Sequence, residues 1–310
     1  MENINRFKEI SPDQLFRWME AHTDFYLVDT LTKDHYQNRH IPNAKNACVF
    51  EVLFMEQIAD ITVDKNAEIV LYGSSIRSMD ALTAAEKLDR GGYRHISVLK
   101  GGIEDWQISG RKLEGVSPDG PDAPNTRLEL TEDRIYRVDT DQSFIEWSGR
   151  NANTRHSGTI AIRSGEVTVK GGAISGTFDI NMKSIKNTNL EGNELQPVLI
   201  SHLNSDDFFF TKVFPAAGFS FSGAKITEEP FLTSPNCQIN GTLELRGIKA
   251  EQQFKATVNR TADNGLAAEA HFDIDRTNWR IIYGSARFFE HLDMHLVFDL
   301  ISIQVRIVAI

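Results

Sequence analysis

Two hydrophobic rhythms divide the chain. Up to about residue 112, short apolar runs at Phe25 to Val28, Ile69 to Tyr72 and Ile96 to Leu99 have the look of strands buried on both faces. Helical spacing fills the intervals. Ser11 is placed to cap a helix that has Pro12 in its first turn, Gln14 three residues past the cap, and Leu15 and Met19 on one face. Arg77 to Leu88 repeats Met79, Leu82, Ala85 and Leu88 at the same period. Strands that alternate with helices predict a mostly parallel α/β sheet whose chemistry sits at the carboxyl ends of its strands. The loop after Tyr72 is therefore the place to look for it.

From about Tyr136 the period changes to two. Ile174, Gly176, Phe178 and Ile180 share a face, as do Ile239, Gly241, Leu243 and Leu245. Ala268, Ala270, Phe272 and Ile274 repeat the pattern, and so do Ile301, Ile303, Val305 and Ile307 near the C-terminus. With Ser143 to Trp147, Gly158 to Arg163, Phe219 with Phe221, and Gln253 to Val258, about eight antiparallel strands are expected, enough to close a barrel around one ligand. Asn187 to Ser205 breaks the rhythm and reads as a crossover with some helix that caps the barrel. It leads into Phe208, Phe209 and Phe210, expected as a plug or rim, and then into Phe219 and Phe221, expected as wall. The expected organisation is an α/β domain over 1–112, a proline- and glycine-bearing connector over 113–132, and an all-β domain over 133–310.

Composition changes this picture little. The 310 residues carry a net charge of -10, which opposes nucleic acid as a partner. No window approaches the roughly 18 apolar residues of a spanning helix, so the chain is not expected to be an integral membrane protein. The N-terminus shows no basic segment followed by an apolar run, and the two cysteines, Cys48 and Cys237, fall in different domains. Both features point to the cytoplasm.

The residues with candidate chemistry are few. Gly73, Ser74, Ser75, Ile76, Arg77 and Ser78 form the loop after Tyr72. A serine there needs a base to act as a nucleophile, and His40 belongs to a different motif, so no triad is expected. His291 and His295 would share a face on a helix, but their surroundings read as a turn entering a strand, and no metal site is assigned. His156 and His202 are expected in hydrogen-bonded structural roles near one barrel end.

Two resemblances follow from these residues. Leu27-Val28-Asp29, His40-Ile41-Pro42-Asn43-Ala44, Ile69 to Tyr72, Arg77-Ser78, and Leu99 to Trp106 are similar to single rhodanese domains. Active members carry a cysteine directly after the strand, where backbone amides stabilise a thiolate or persulfide; this loop has none, and it is about one residue short. The resemblance implies a fold that has kept its shape and lost its reaction. Tyr136 to Asp139, His202 to Phe209, Phe214-Pro215, Gly241-Thr242-Leu243 and Asp275-Arg276-Thr277 resemble the YceI-like family of lipocalin-like barrels. That resemblance implies a tunnel for an isoprenoid, quinone-like or fatty-acyl lipid, no other cofactor, and a homodimer. Trp147, Phe178, Phe219, Phe221, Leu243 and Phe272 are the expected lipid contacts. The leading reading is a lipid-binding barrel with a noncatalytic module for regulation or partner contact. A sulfurtransferase or other enzyme using Cys48 or the Ser74/Arg77 loop, and a pure protein-interaction scaffold, stand as alternatives.

Overall fold

A computed structural model describes residues 7–120, 128–227 and 233–310, and the chain divides into two compact units, 1–123 and 124–310. The first unit runs β1 (Lys8–Ile10), α1 (Pro12–Glu20), β2 (Tyr26–Asp29), α2 (Lys33–Asn38), β3 (Lys45–Asn46), α3 (Phe54–Ile61), β4 (Glu68–Tyr72), α4 (Asp80–Arg90), β5 (His95–Leu99) and α5 (Gly102–Ile108). Its strands form one parallel sheet in the order β1-β5-β4-β2-β3. The Ser11 hydroxyl caps α1 by accepting from the Gln14 amide at 3.2 Å, as its spacing predicts. The helix expected from Arg77 begins later, at Asp80, for a reason that lies in the loop before it.

The stretch expected as a connector contributes to both units. Leu113 packs on the core around Trp106, and Glu114 exchanges two backbone bonds with His40. Leu128 and Leu130 pack on the core of the second unit.

The second unit is antiparallel: β6 (Arg134–Arg137), β7 (Phe144–Arg150), β8 (Arg155–Ile160), β9 (Ile162–Lys170), β10 (Ala173–Asn181), β11 (Lys186–Asn187), α6 (Leu195–Asn204), β12 (Ala216–Lys225), β13 (Cys237–Leu245), β14 (Ile248–Arg260), β15 (Leu266–Asp275) and β16 (Leu300–Ala309). In chain order β6 and β7 are the two limbs of one bent strand lying along β16. Arg137 and Ile310 exchange backbone bonds of 2.9 Å, the Asp139 amide donates to Val308 at 2.8 Å, and β7 continues the pairing from Phe144 with Arg306. The bend between the limbs is filled by Ser143, whose hydroxyl accepts from the Val308 amide at 2.9 Å. In the same way β8 runs into β9. The eleven segments thus form eight long strands plus the two-residue β11, and because β6 joins β9 to β16 the sheet closes on itself. Among the described residues, closure leaves one long unpaired edge.

That edge lies between β14 and β15. Their ladder runs from Arg260 with Leu266 to Ala256 with Ala270 and stops. Beyond it, β14 keeps its register with β13 down to Ile248, and β15 keeps its register with β16 to Asp275. The wall is split there, and the rings of Phe254 and Phe272 stack across the split, 4.0 Å apart and nearly parallel at 4°.

Candidate functional site

The barrel encloses a cavity of about 230 Å³ whose lining is almost wholly apolar. Two buried clusters, one around Trp147, Ile274 and Trp279 and the other around Val167, Ile239 and Val258, supply much of its lining. Between them runs an aromatic waist. Phe178 stacks on Phe219 and Phe221 at 6.3 and 6.5 Å, and Phe219 meets Phe254 at 5.7 Å. All six residues expected to contact lipid, Trp147, Phe178, Phe219, Phe221, Leu243 and Phe272, line this one cavity.

Two glycines explain how so many rings leave a lumen. A Cβ on Gly176 would lie 2.5 Å from a ring atom of Phe221, and one on Gly241 would lie 2.6 Å from a ring atom of Phe219. Each ring lies along the wall in the space a side chain on the neighbouring strand would have taken. The rings therefore cover backbone instead of crossing the lumen.

Phe254 is a waist residue the sequence pattern missed. Its strand alternates correctly, but Ala250, Gln252 and Ala256 dilute the apolar face. The phenylalanine run also separates. Phe208 and Phe209 are buried and line the cavity, whereas Phe210 takes φ 48° and turns its ring onto Phe214 at 6.2 Å. The plug is thus two rings, with the third turned aside.

The end near Phe208 is covered by α6 through Leu199, Ile200 and Leu203. His202 on that helix is 3.1 Å from Asp207 and presses edge-on against Phe208 and Tyr283. His156 is not among its contacts, although both were expected near one end; it lies on β8 with Nδ1 buried and unpartnered. His295 bonds the Tyr283 hydroxyl at 3.2 Å, and among the described residues no group of three His, Cys, Asp or Glu is placed to hold a metal. Phe298 lines the cavity yet is 44% exposed, which puts it at the rim.

Arg276 clamps the loop that carries this rim. Its buried guanidinium donates to the carbonyls of Ile281 at 2.6 Å, Val297 at 3.0 Å and Phe298 at 3.1 Å. Burial pushes its pKa down, against the pull of Asp299 and Asp275. Asp275 caps the following turn through Thr277 and pairs with Arg287 at 2.7 Å. The Asp-Arg-Thr motif is thus a structural fastening at the mouth.

In the first unit, the loop after β4 holds an internal occupant. The Asp80 carboxylate accepts from the Ser74 amide at 3.0 Å and from the Ser74 hydroxyl at 2.9 Å. A Cβ on Gly73, directly after the strand, would lie 2.7 Å from Cβ of Asp80. Asp80 therefore fills the space beside the loop and starts α4 three residues late. The Ser75 hydroxyl accepts from the Arg77 amide at 3.3 Å, and Ile76 is exposed. His40 is committed elsewhere, to the Tyr36 carbonyl at 2.7 Å and near Glu114 at 3.7 Å. Cys48 is buried, and burial pushes the Cys237 thiol up to about 11. Gly73→Cys is expected to yield no thiosulfate-to-cyanide transfer, because the new side chain meets Asp80; turnover by that variant would contradict the blocked-loop account.

Asp29, at the end of β2, is fully buried. Burial raises its pKa, partly offset by hydrogen bonding and by nearby histidines. A raised folded pKa means that ionisation opposes folding, so stability is lost as pH rises through it. Asp29→Asn is expected to raise the melting temperature of this unit at pH 8, with the gain shrinking as pH falls toward 4. A gain that stays constant across this range, in melts followed by circular dichroism, would contradict that assignment.

Comparison with known proteins follows the same division. Residues 136–309 match the YceI-like domain model and residues 11–109 the rhodanese-like domain model. No curated protein matches the chain. Among solved structures the chain is similar to Burkholderia cenocepacia BcnA, at 18% identity and TM-score 0.43, over 56% of this chain and 99% of that one. It is also similar to a polyisoprenoid binding domain from Saccharophagus degradans, at 11% identity and TM-score 0.40, over 56% and 97%. The rhodanese-like domain of the Alr3790 protein from Anabaena sp. is similar at 24% identity and TM-score 0.31, over 40% and 94%. With a closed antiparallel barrel in place and the family model spanning nearly all of it, the chain belongs to the YceI-like domain family and carries a rhodanese-like domain ahead of that barrel.

Proposed function

We propose that the barrel is a carrier or sensor that holds one long apolar ligand, an isoprenoid or other lipid, in its cavity. The observation that carries this reading is the apolar cavity of about 230 Å³, kept open at a waist of rings that lie flat along the wall. Each methylene moved from water into such a lumen is worth about 0.8 kcal/mol, so a long chain gains much from it. Titration with N-phenyl-1-naphthylamine tests the reading. One saturable site per barrel, emptied by competing isoprenoid alcohol, is the expected result; nonsaturable or absent enhancement would contradict it.

The rhodanese-like domain acts in the same proposal as a noncatalytic module for regulation or partner contact. What supports this is the Asp80 carboxylate on Ser74, together with the lack of a cysteine from Gly73 to Ser78. The rival, a sulfurtransferase using Cys48, needs an accessible thiol, and Cys48 is 3% exposed. Thiosulfate-dependent turnover abolished by Cys48→Ser would establish the rival. Two free, buried cysteines fit a reducing compartment, and we place the protein in the cytoplasm.

A further inference from the structure

The inward face of β14 carries one residue that does not belong in an apolar tunnel. Ile248, Ala250, Gln252, Phe254, Ala256 and Val258 alternate with the exposed Lys249, Glu251, Gln253 and Lys255. Gln252 lines the cavity, and its carboxamide makes no hydrogen bond to another described residue. Its cross-strand neighbour is Gly241, which offers no side chain, and beyond Gly241 stands Phe221. Gln252 also lies on the limb of β14 past Ala256, where the ladder to β15 has ended.

Gln252 is half-buried, and an amide drawn further from water by an occupant of the tunnel costs free energy unless something bonds it. The charged residues of the lining are already committed, and the buried, unpartnered indole N–H of Trp147 is a donor alone. Glu269 is paired with Arg306. Arg276 spends its guanidinium on the carbonyls of Ile281, Val297 and Phe298. Among the described lining residues, then, no uncommitted cation is present to receive an anionic group, and a buried unpaired charge is strongly disfavoured. A carboxamide offers both a donor and an acceptor, which matches a neutral group carrying a carbonyl or a hydroxyl.

We propose that Gln252 is a specificity-determining residue of the tunnel: at the aromatic waist, beside the split between β14 and β15, its carboxamide binds a neutral carbonyl or hydroxyl group of the ligand. This rests on the tunnel reading above and adds which head groups the tunnel accepts.

The test is calorimetric titration of the full chain with geranylgeraniol, geranylgeranyl diphosphate and squalane, using wild type and the near-isosteric Gln252→Met. Wild type is expected to bind the alcohol at least about tenfold tighter than the diphosphate. Gln252→Met is expected to lose about fivefold to tenfold for the alcohol, while squalane binds as well or better. A merely structural role would weaken all three ligands together, and that result would overturn the proposal. So would an unchanged affinity for the alcohol in the variant, or a diphosphate that binds as tightly as the alcohol. Wild type that binds none of the three would overturn the tunnel reading itself, and this inference with it.

Discussion

Phe219→Asp is expected to abolish retention of an apolar ligand while the outward Ser220→Asp, one residue along the same strand, leaves it intact. Phe219 sits where the aromatic waist is densest, within 6.3 Å of Phe178, 6.1 Å of Phe221 and 5.7 Å of Phe254. A carboxylate there either draws water into the lumen or binds a proton, and either costs several kcal/mol against an apolar occupant. Phe221→Asp is expected to have the same effect from the next inward position. Because a buried charge can also damage folding, Gly176→Val supplies an uncharged counterpart. Its side chain would claim the space of the Phe221 ring, with no backbone atom among its nearest neighbours, and push that ring into the lumen. The expected outcome is a folded barrel of reduced capacity, read by circular dichroism alongside lipid content. Unchanged lipid in Phe219→Asp and Phe221→Asp would count against the tunnel.

The second large effect is on stability. Arg276→Met removes the donor shared by the carbonyls of Ile281, Val297 and Phe298 and leaves Asp299 without its buried cation. Breaking such a buried network typically costs about 3–5 kcal/mol, which for a domain of this size lowers the melting temperature by roughly 10 °C. Arg276→Lys is not expected to rescue it, since one ammonium cannot reach the positions spanned by a planar fork of donors. A melting temperature for Arg276→Met within a degree or two of wild type would show that the mouth loop does not depend on this clamp.

Much of this architecture was legible in the sequence because the two hydrophobic periods are clean. The change from helical spacing before residue 112 to alternation after Tyr136 separates the two domain types. Phe219 and Phe221 announce their shared face by the serines between and after them. Other features depend on information that a period does not carry. The run Phe208-Phe209-Phe210 has no alternation, so nothing in it says that Phe210 turns away; a positive φ decides that. Phe254 and Gln252 share the lumen face, but small and polar neighbours hide it. The split between β14 and β15 is a property of pairing, and neither strand pattern records where its ladder ends. In the first unit, the sequence itself displays a loop from Gly73 to Ser78 without a cysteine. The Asp80 carboxylate that occupies the loop could not be read there, because Asp80 lies within what reads as continuous helix from Arg77.

A barrel that carries a lipid retains it through purification, and mass spectrometry of an organic extract from the purified full chain reads it out. A long-chain apolar molecule, near one per barrel, is expected in wild type and Ser220→Asp and not in Phe219→Asp. An extract without lipid, from a protein whose barrel interior is filled by its own side chains, would contradict the carrier reading.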